Sequence, residues 1–170
     1  LAANADGSIY CLDGAGTLRW TFKPDDAPMN AVCVIHADKK PYVVCGGYDK
    51  NIYYLSPGGK LVKMIASSTY SKEKTWGKGE QRIPESGQHV ANFLRPVRLK
   101  NGEEDLAVHA ANNSNSGSGS VYLFRPLEGL PYKQLKIASG GSVGEMRAVD
   151  VNHDGTDELL LGSSGMIQEA

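Results

Sequence analysis

The chain has almost no net charge of either sign, with 18 Lys and Arg against 19 Asp and Glu across 170 residues. No cationic stripe interrupts that balance, which argues against nucleic acid and anionic membrane surfaces as partners. No apolar run approaches the ~20 residues of a membrane helix, so no membrane span is expected. Long amphipathic helical patterns are absent as well. Cysteine is scarce and odd in number, at Cys11, Cys33 and Cys45, without CxxC spacing. That excludes the usual zinc spacings and any obvious disulfide framework. All three lie in apolar runs and read as buried thiols. One pair could still bridge neighbouring strands, so cysteine assigns no compartment. An initiator Met and a leader are missing too. The chain opens at Leu1 inside a strand-like run and stops at Ala170 where another strand should begin, the pattern expected of a fragment.

What is abundant is glycine, 20 residues, with eight prolines and short apolar runs between them. This is the composition of many short strands and turns. A repeat organises them. A shift of 43 matches Leu1 to Val44, Asp6 to Asp49, Ile9 to Ile52, Tyr10 to Tyr53, Leu12 to Leu55, Gly16 to Gly59 and Leu18 to Leu61 without a gap. A period near 40–45 residues with four strands per unit is the signature of a propeller blade. The expected fold is therefore all-β: an open fragment of a β-propeller built from four-stranded antiparallel blades. Its blade parts are placed at 1–23, 30–66, 92–138 and 146–170, with an inserted loop at 67–91.

One turn carries distinctive chemistry. In Asp150-Val151-Asn152-His153-Asp154-Gly155-Thr156-Asp157-Glu158, oxygen-bearing side chains occupy positions one, three, five and nine, with glycine at six. Alternate residues of a tight turn can point such hard oxygens at one calcium ion. An EF-hand would need Glu at position twelve, where Leu161 stands, and a strand-like run follows instead of a helix. The loop reads as a calcium site between two strands, set against the plainer reading of an acidic hairpin turn. A gapless alignment puts Val97 and Leu99 of the third unit where Asp150 and Asn152 stand, so one calcium ion is expected, in the fourth unit.

The loop resembles the cation-binding loops of FG-GAP/VCBS β-propeller repeats. That resemblance implies a metal held by Asp150, Asn152, Asp154 and Glu158 together with the Thr156 carbonyl. The stretch from Asp6 to Trp20 is similar to a PQQ-type propeller blade, where a turn glycine precedes a strand ending in Trp. The Trp20 position becomes Lys63 in the second unit, so the docking of that family is not kept and no quinone cofactor is expected.

Two irregular segments fall together. The insertion Ser67–Ala91 and the Asn112–Gly119 loop leave the blades on one face, and the calcium loop lies on the other. The insertion carries Tyr70, Trp76, Lys78, Arg82 and His89; His109, Asn112 and Asn113 stand at the second loop. Rings beside hydrogen-bonding and charged groups suit glycan or protein recognition, with Trp76 or Tyr70 as a stacking platform. Solvated loops with Trp76 packed for support are the plainer alternative. The leading reading is a non-catalytic or scaffold calcium-binding propeller of a larger secreted, periplasmic or cell-surface bacterial protein, binding a glycan or protein. Its alternative is the propeller domain of a polysaccharide lyase or other carbohydrate-active enzyme, with His109, His89, Arg82 and Lys78 around the substrate. No catalytic set can be assembled from spacing.

Overall fold

The structure is a computed structural model that describes residues 1–71, 89–112, 119–137 and 142–164. Among these described residues run thirteen strands and one helical turn. The first sheet holds β1 (Ala2–Ala3), β2 (Ile9–Leu12) and β3 (Leu18–Phe22). The second holds β4 (Met29–Ala37), β5 (Lys40–Gly47), β6 (Asn51–Leu55) and β7 (Leu61–Ala66). A turn of helix, α1 (Ser67–Tyr70), follows. The third sheet holds β8 (His89–Arg98), β9 (Glu104–Asn112), β10 (Gly119–Phe124) and β11 (Lys133–Ile137). The fourth pairs β12 (Ser142–Val149) with β13 (Glu158–Ser164). Every pairing is antiparallel between consecutive strands.

The strands β4, β8 and β12 lie side by side, and each sheet fans outward from there. This is the radial arrangement of propeller blades, left open. Because each inner blade packs on both sides, its strands are apolar without clean alternation. Every residue from Asp105 to Ala110 is buried. Leu106, Val108, Ala110, Tyr122 and Phe124 of the third blade meet Ile35, Val44, Ile52 and Tyr54 of the second. Ala107 and Val121, from the opposite face, meet Met146 of the fourth. Tyr54, Tyr122 and Phe124 are fully buried, and a large side chain so placed contributes roughly 1.5–3 kcal/mol.

Directional contacts fix blade to blade. The Trp20 indole donates to the Pro57 carbonyl at 2.9 Å and lies over Gly59 in the next blade's turn. Lys63, at the matching repeat position, donates its ammonium to the Leu127 carbonyl of the blade beyond. The indole is lost there, but blade-to-blade docking at this place is kept by a different group. At the same end, Glu104 accepts from the His36 amide at 2.7 Å, and Asp157 accepts from the Arg98 amide at 2.8 Å. Both acids stand at the start of a second strand and bind the preceding blade.

The cysteines are all free, with Cys45 buried and Cys11 and Cys33 partly so. Val32 pairs with Cys45 and Cys33 with Val44, which turns Cys33 and Cys45 to opposite faces of the sheet. Burial pushes both thiols up to about 12. Among the described residues no helix is long and apolar enough to cross a membrane.

Candidate functional site

Register brings the two irregular segments to one end. His89, the first described residue after 72–88, pairs with Asn112, the last before 113–118. Gly119 then pairs with Ala111. Beneath this end lies a buried polar layer. The Tyr122 hydroxyl is 3.3 Å from His89 Nδ1, and the Gln134 amide donates to Ser120 Oγ at 3.0 Å. From α1, the Tyr70 ring stands edge-on to Tyr122 and Phe124, with centroids 4.9 and 5.4 Å away. Ser67 and Ser71 are buried beside it.

This corrects three expectations. Tyr70 is buried, so it props the base of the insertion and offers no open face for stacking. His89 is not in a loop: β8 begins at it, making His89–Ala91 strand, and its ring is fully buried. His109 is buried on the other face of the blade, tilted against Phe93 at 5.8 Å. Burial, helped slightly by neighbouring His89, lowers its pKa to about 4. The two histidines therefore do not converge on a common substrate position. Asn112 ends β9. Trp76, Lys78, Arg82 and Asn113 lie outside the described residues.

At the same end, the tight turns of the first two blades follow one rule. Tyr10 donates its hydroxyl to Asp6 at 2.7 Å, and Tyr53 donates to Asp49 at 2.5 Å. The next amides, of Ser8 and Asn51, donate to the same carboxylates. These acids are occupied in holding their turns. Sequence reasoning passed over Asn30, Asn92 and Arg95 on the inner strands. The available signal was the recurrence of Asn just inside two strands, in Met29-Asn30-Ala31 and Ala91-Asn92-Phe93.

The loop 150–157 lies at the far end, between β12 and β13. Asp150 Oδ1 and Asn152 Oδ1 both accept from the Asp154 amide, at 3.0 and 2.9 Å. Asp150 Oδ2 accepts from Gly155 at 2.9 Å, and Asp154 Oδ1 from Thr156 at 2.9 Å. Glu158 accepts from the Val151 amide at 2.8 Å and the Asn152 side chain at 3.0 Å. The oxygens of Asp150 and Asn152 thus face one point inside the turn, and the donor set is of the hard type calcium takes. Among the described residues, no three Asp, Glu, His or Cys side chains come together as a ready metal cage. An ion would draw on Asn152 and the Thr156 carbonyl, and Glu158 would have to leave its present partners. The register also revises the alignment of this loop. Val97 pairs with Asp105, whereas Val149 pairs with Glu158. Seven residues intervene in the third blade and eight in the fourth, so Val149, not Asp150, is the counterpart of Val97.

Comparison with known proteins agrees with this architecture. The family model described as the lambda-carrageenase beta-propeller domain matches residues 1–170. A lambda-carrageenase of Pseudoalteromonas carrageenovora is 47% identical over 169 residues, covering 99% of this chain. A lambda-carrageenase of a Pseudoalteromonas species is also 47% identical over 169 residues. The chain spans 18% of the length of each relative. Among solved structures, the C-terminal domain of PilY1 from Pseudomonas aeruginosa superposes with a TM-score of 0.60 at 17% identity, over 95% of this chain and 36% of that one. That likeness speaks to fold alone. Matched along its whole length, the chain belongs to the lambda-carrageenase β-propeller domain family.

Proposed function

We propose that this chain is a portion of the propeller of a carbohydrate-active enzyme whose substrate is a lambda-carrageenan type of galactan, and that the end bearing 72–88 and 113–118 faces the glycan. The observation that carries this is the 47% identity to lambda-carrageenases, sustained over 99% of the chain. It favours the enzyme alternative over a non-catalytic scaffold. It also bears on the chemistry. A lyase abstracts a proton made acidic by a neighbouring uronate carboxyl, and a sulfated galactan has none. Hydrolysis remains, which in most glycosidases uses two carboxyl groups flanking the bond. Among the described residues at the loop-bearing end, Asp6 and Asp49 are engaged by Tyr10 and Tyr53, and the role proposed for this end is to hold substrate. A polysaccharide too large to cross a membrane is met outside the cell, which makes secretion the matching location.

The test uses the full-length protein on lambda-carrageenan, following new reducing ends and ultraviolet absorbance from unsaturated products. Reducing ends without that absorbance are expected, and Trp76→Ala should raise KM. No turnover by the wild type would overturn the reading.

The proposal includes one calcium ion at Asp150, Asn152, Asp154, Glu158 and the Thr156 carbonyl. Bound there, it would supply positive charge that locks the turn between β12 and β13. Far from the glycan-facing end, its role is support.

A further inference from the structure

The inner strands share a defect that points to a site. Each carries a β-bulge near the loop-bearing end: between Met29 and Ala31, between Ala91 and Phe93, and between Val143 and Glu145. The extra residues are Asn30, Asn92 and Gly144. Counted from the register pairs Val32↔Cys45, Leu94↔Val108 and Met146↔Leu161, all three occupy the same place in their blades. A bulge re-aims the side chain it carries, and bulges recur beside functional sites. Here two of them turn asparagines toward each other across the blade boundary. Asn30 Nδ2 donates to Asn92 Oδ1 at 3.3 Å, in an exposed setting. The pair has further hydrogen-bonding capacity, because each amide offers two donor hydrogens and an acceptor oxygen.

Next along β8 sits a fixed cation. Arg95 Nη1 donates to the Leu94 carbonyl at 2.9 Å, and Nη2 donates to Glu145 Oε1 of the neighbouring inner strand at 3.0 Å. Its guanidinium carbon is 5.8 Å from the Phe93 ring centroid. The side chain remains 32% exposed. Glu145 Oε1 also accepts from the Met146 amide at 3.1 Å. Arginine is suited to this task, because its planar fork holds several acceptors and still meets a sulfate.

We propose that the inner-strand rim formed by Asn30, Asn92 and Arg95 is a glycan subsite, with the asparagine amides bonding sugar hydroxyls and Arg95 taking a sulfate ester. The proposal rests on the reading of the chain as part of a carrageenan-acting enzyme, and it names residues of that same end.

The decisive variant is Asn92→Asp. It keeps the oxygen that accepts from Asn30, so the contact between blades survives, but it puts an anion where a sulfated chain approaches. In the full-length protein, KM for lambda-carrageenan should rise about tenfold, the effect of a nearby like charge at a protein surface. The value of kcat should stay within about twofold, and the rise should shrink with added salt. Arg95→Lys keeps the charge but loses the fork, and should raise KM less than Arg95→Gln. Melting temperatures of all variants identify any that misfold. Binding of lambda-carrageenan oligosaccharides is titrated alongside turnover. Wild type that turns over lambda-carrageenan, with Asn92→Asp and Arg95→Gln unchanged in KM, overturns the subsite and leaves the enzyme reading standing. Wild type that binds without cleaving, with Asn92→Asp binding weaker, supports the subsite and overturns the enzyme reading. Wild type that neither binds nor cleaves overturns both.

Discussion

Replacing Gly59 by Ala tests the docking of blade to blade. Gly59 sits at φ +79°, and a Cβ there would lie 2.6 Å from Trp20 Cδ2, with two further ring atoms within 2.9 Å. Gly102, also at φ +79°, has nothing within 4 Å of its Cβ position. The backbone term is therefore shared, about 1 kcal/mol for an L-residue in the left-handed region. Only Gly59→Ala must also displace the indole from the turn. That loses the bond to Pro57, about 1 kcal/mol, and adds an overpacking cost of roughly 1–3 kcal/mol. Gly59→Ala should thus destabilise by about 3 kcal/mol or more against about 1 kcal/mol for Gly102→Ala. Urea unfolding measures both. In a Trp20→Ala background the excess at Gly59 should vanish, since the cycle removes the partner. Equal costs at the two glycines, or an unchanged cost once Trp20 is gone, would refute the docking argument.

Lys63→Met should cost about 1 kcal/mol in the same assay through loss of the bond to Leu127; no change would mean that the ammonium is equally content in water. In the intact protein, millimolar calcium should raise the melting temperature, and Asp154→Ala should abolish that rise; an unresponsive wild type removes calcium from the account. His109 makes a pH prediction. Its folded pKa, about 4, lies below the ordinary histidine value of about 6.5, so between those values the unfolded chain binds the extra proton. Stability is full above pH 6.5, falls as pH drops toward 4 and levels off below, for a total on the order of 3 kcal/mol. His109→Asn should flatten that slope in urea titrations across the window.

Much of the fold was legible because glycine turns and the 43-residue repeat agree with each other. The strands Asn51–Leu55 and Leu61–Ala66 follow directly from Pro57-Gly58-Gly59 between them. What was hidden has physical causes. A gapless shift cannot see that the loop before Glu158 has gained a residue over its counterpart, because the strands on either side remain apolar. Lys63 looked like the loss of a contact because indole and ammonium share no chemistry, yet both donate to the carbonyl of a neighbouring turn. Tyr70 and His89 looked like loop residues because a one-turn helix and a strand start leave no periodicity. A bulge, an insertion of one residue, leaves even less.

The third blade shows why those residues are buried where they are. In the first two blades a tyrosine on β2 or β6 is satisfied by an aspartate in the tight turn before it, Tyr10 by Asp6 and Tyr53 by Asp49. Tyr122 stands at the matching place, but its turn has been replaced by the longer segment 113–118. A buried hydroxyl left without a partner would cost about 1–3 kcal/mol. Here His89 Nδ1 lies 3.3 Å from the hydroxyl, with the Gln134 amide at 3.5 Å and the Tyr70 ring closing over it. Both ends of the 72–88 segment, at Tyr70 and His89, are thereby fastened to the blade whose own loop was lengthened. His89 thus gives Tyr122 the partner that a tight-turn aspartate gives Tyr10 and Tyr53, and the Tyr70 ring packs beside it. These contacts hold the strand ends at Tyr70 and His89 against the third blade, beneath the face proposed to meet the ligand.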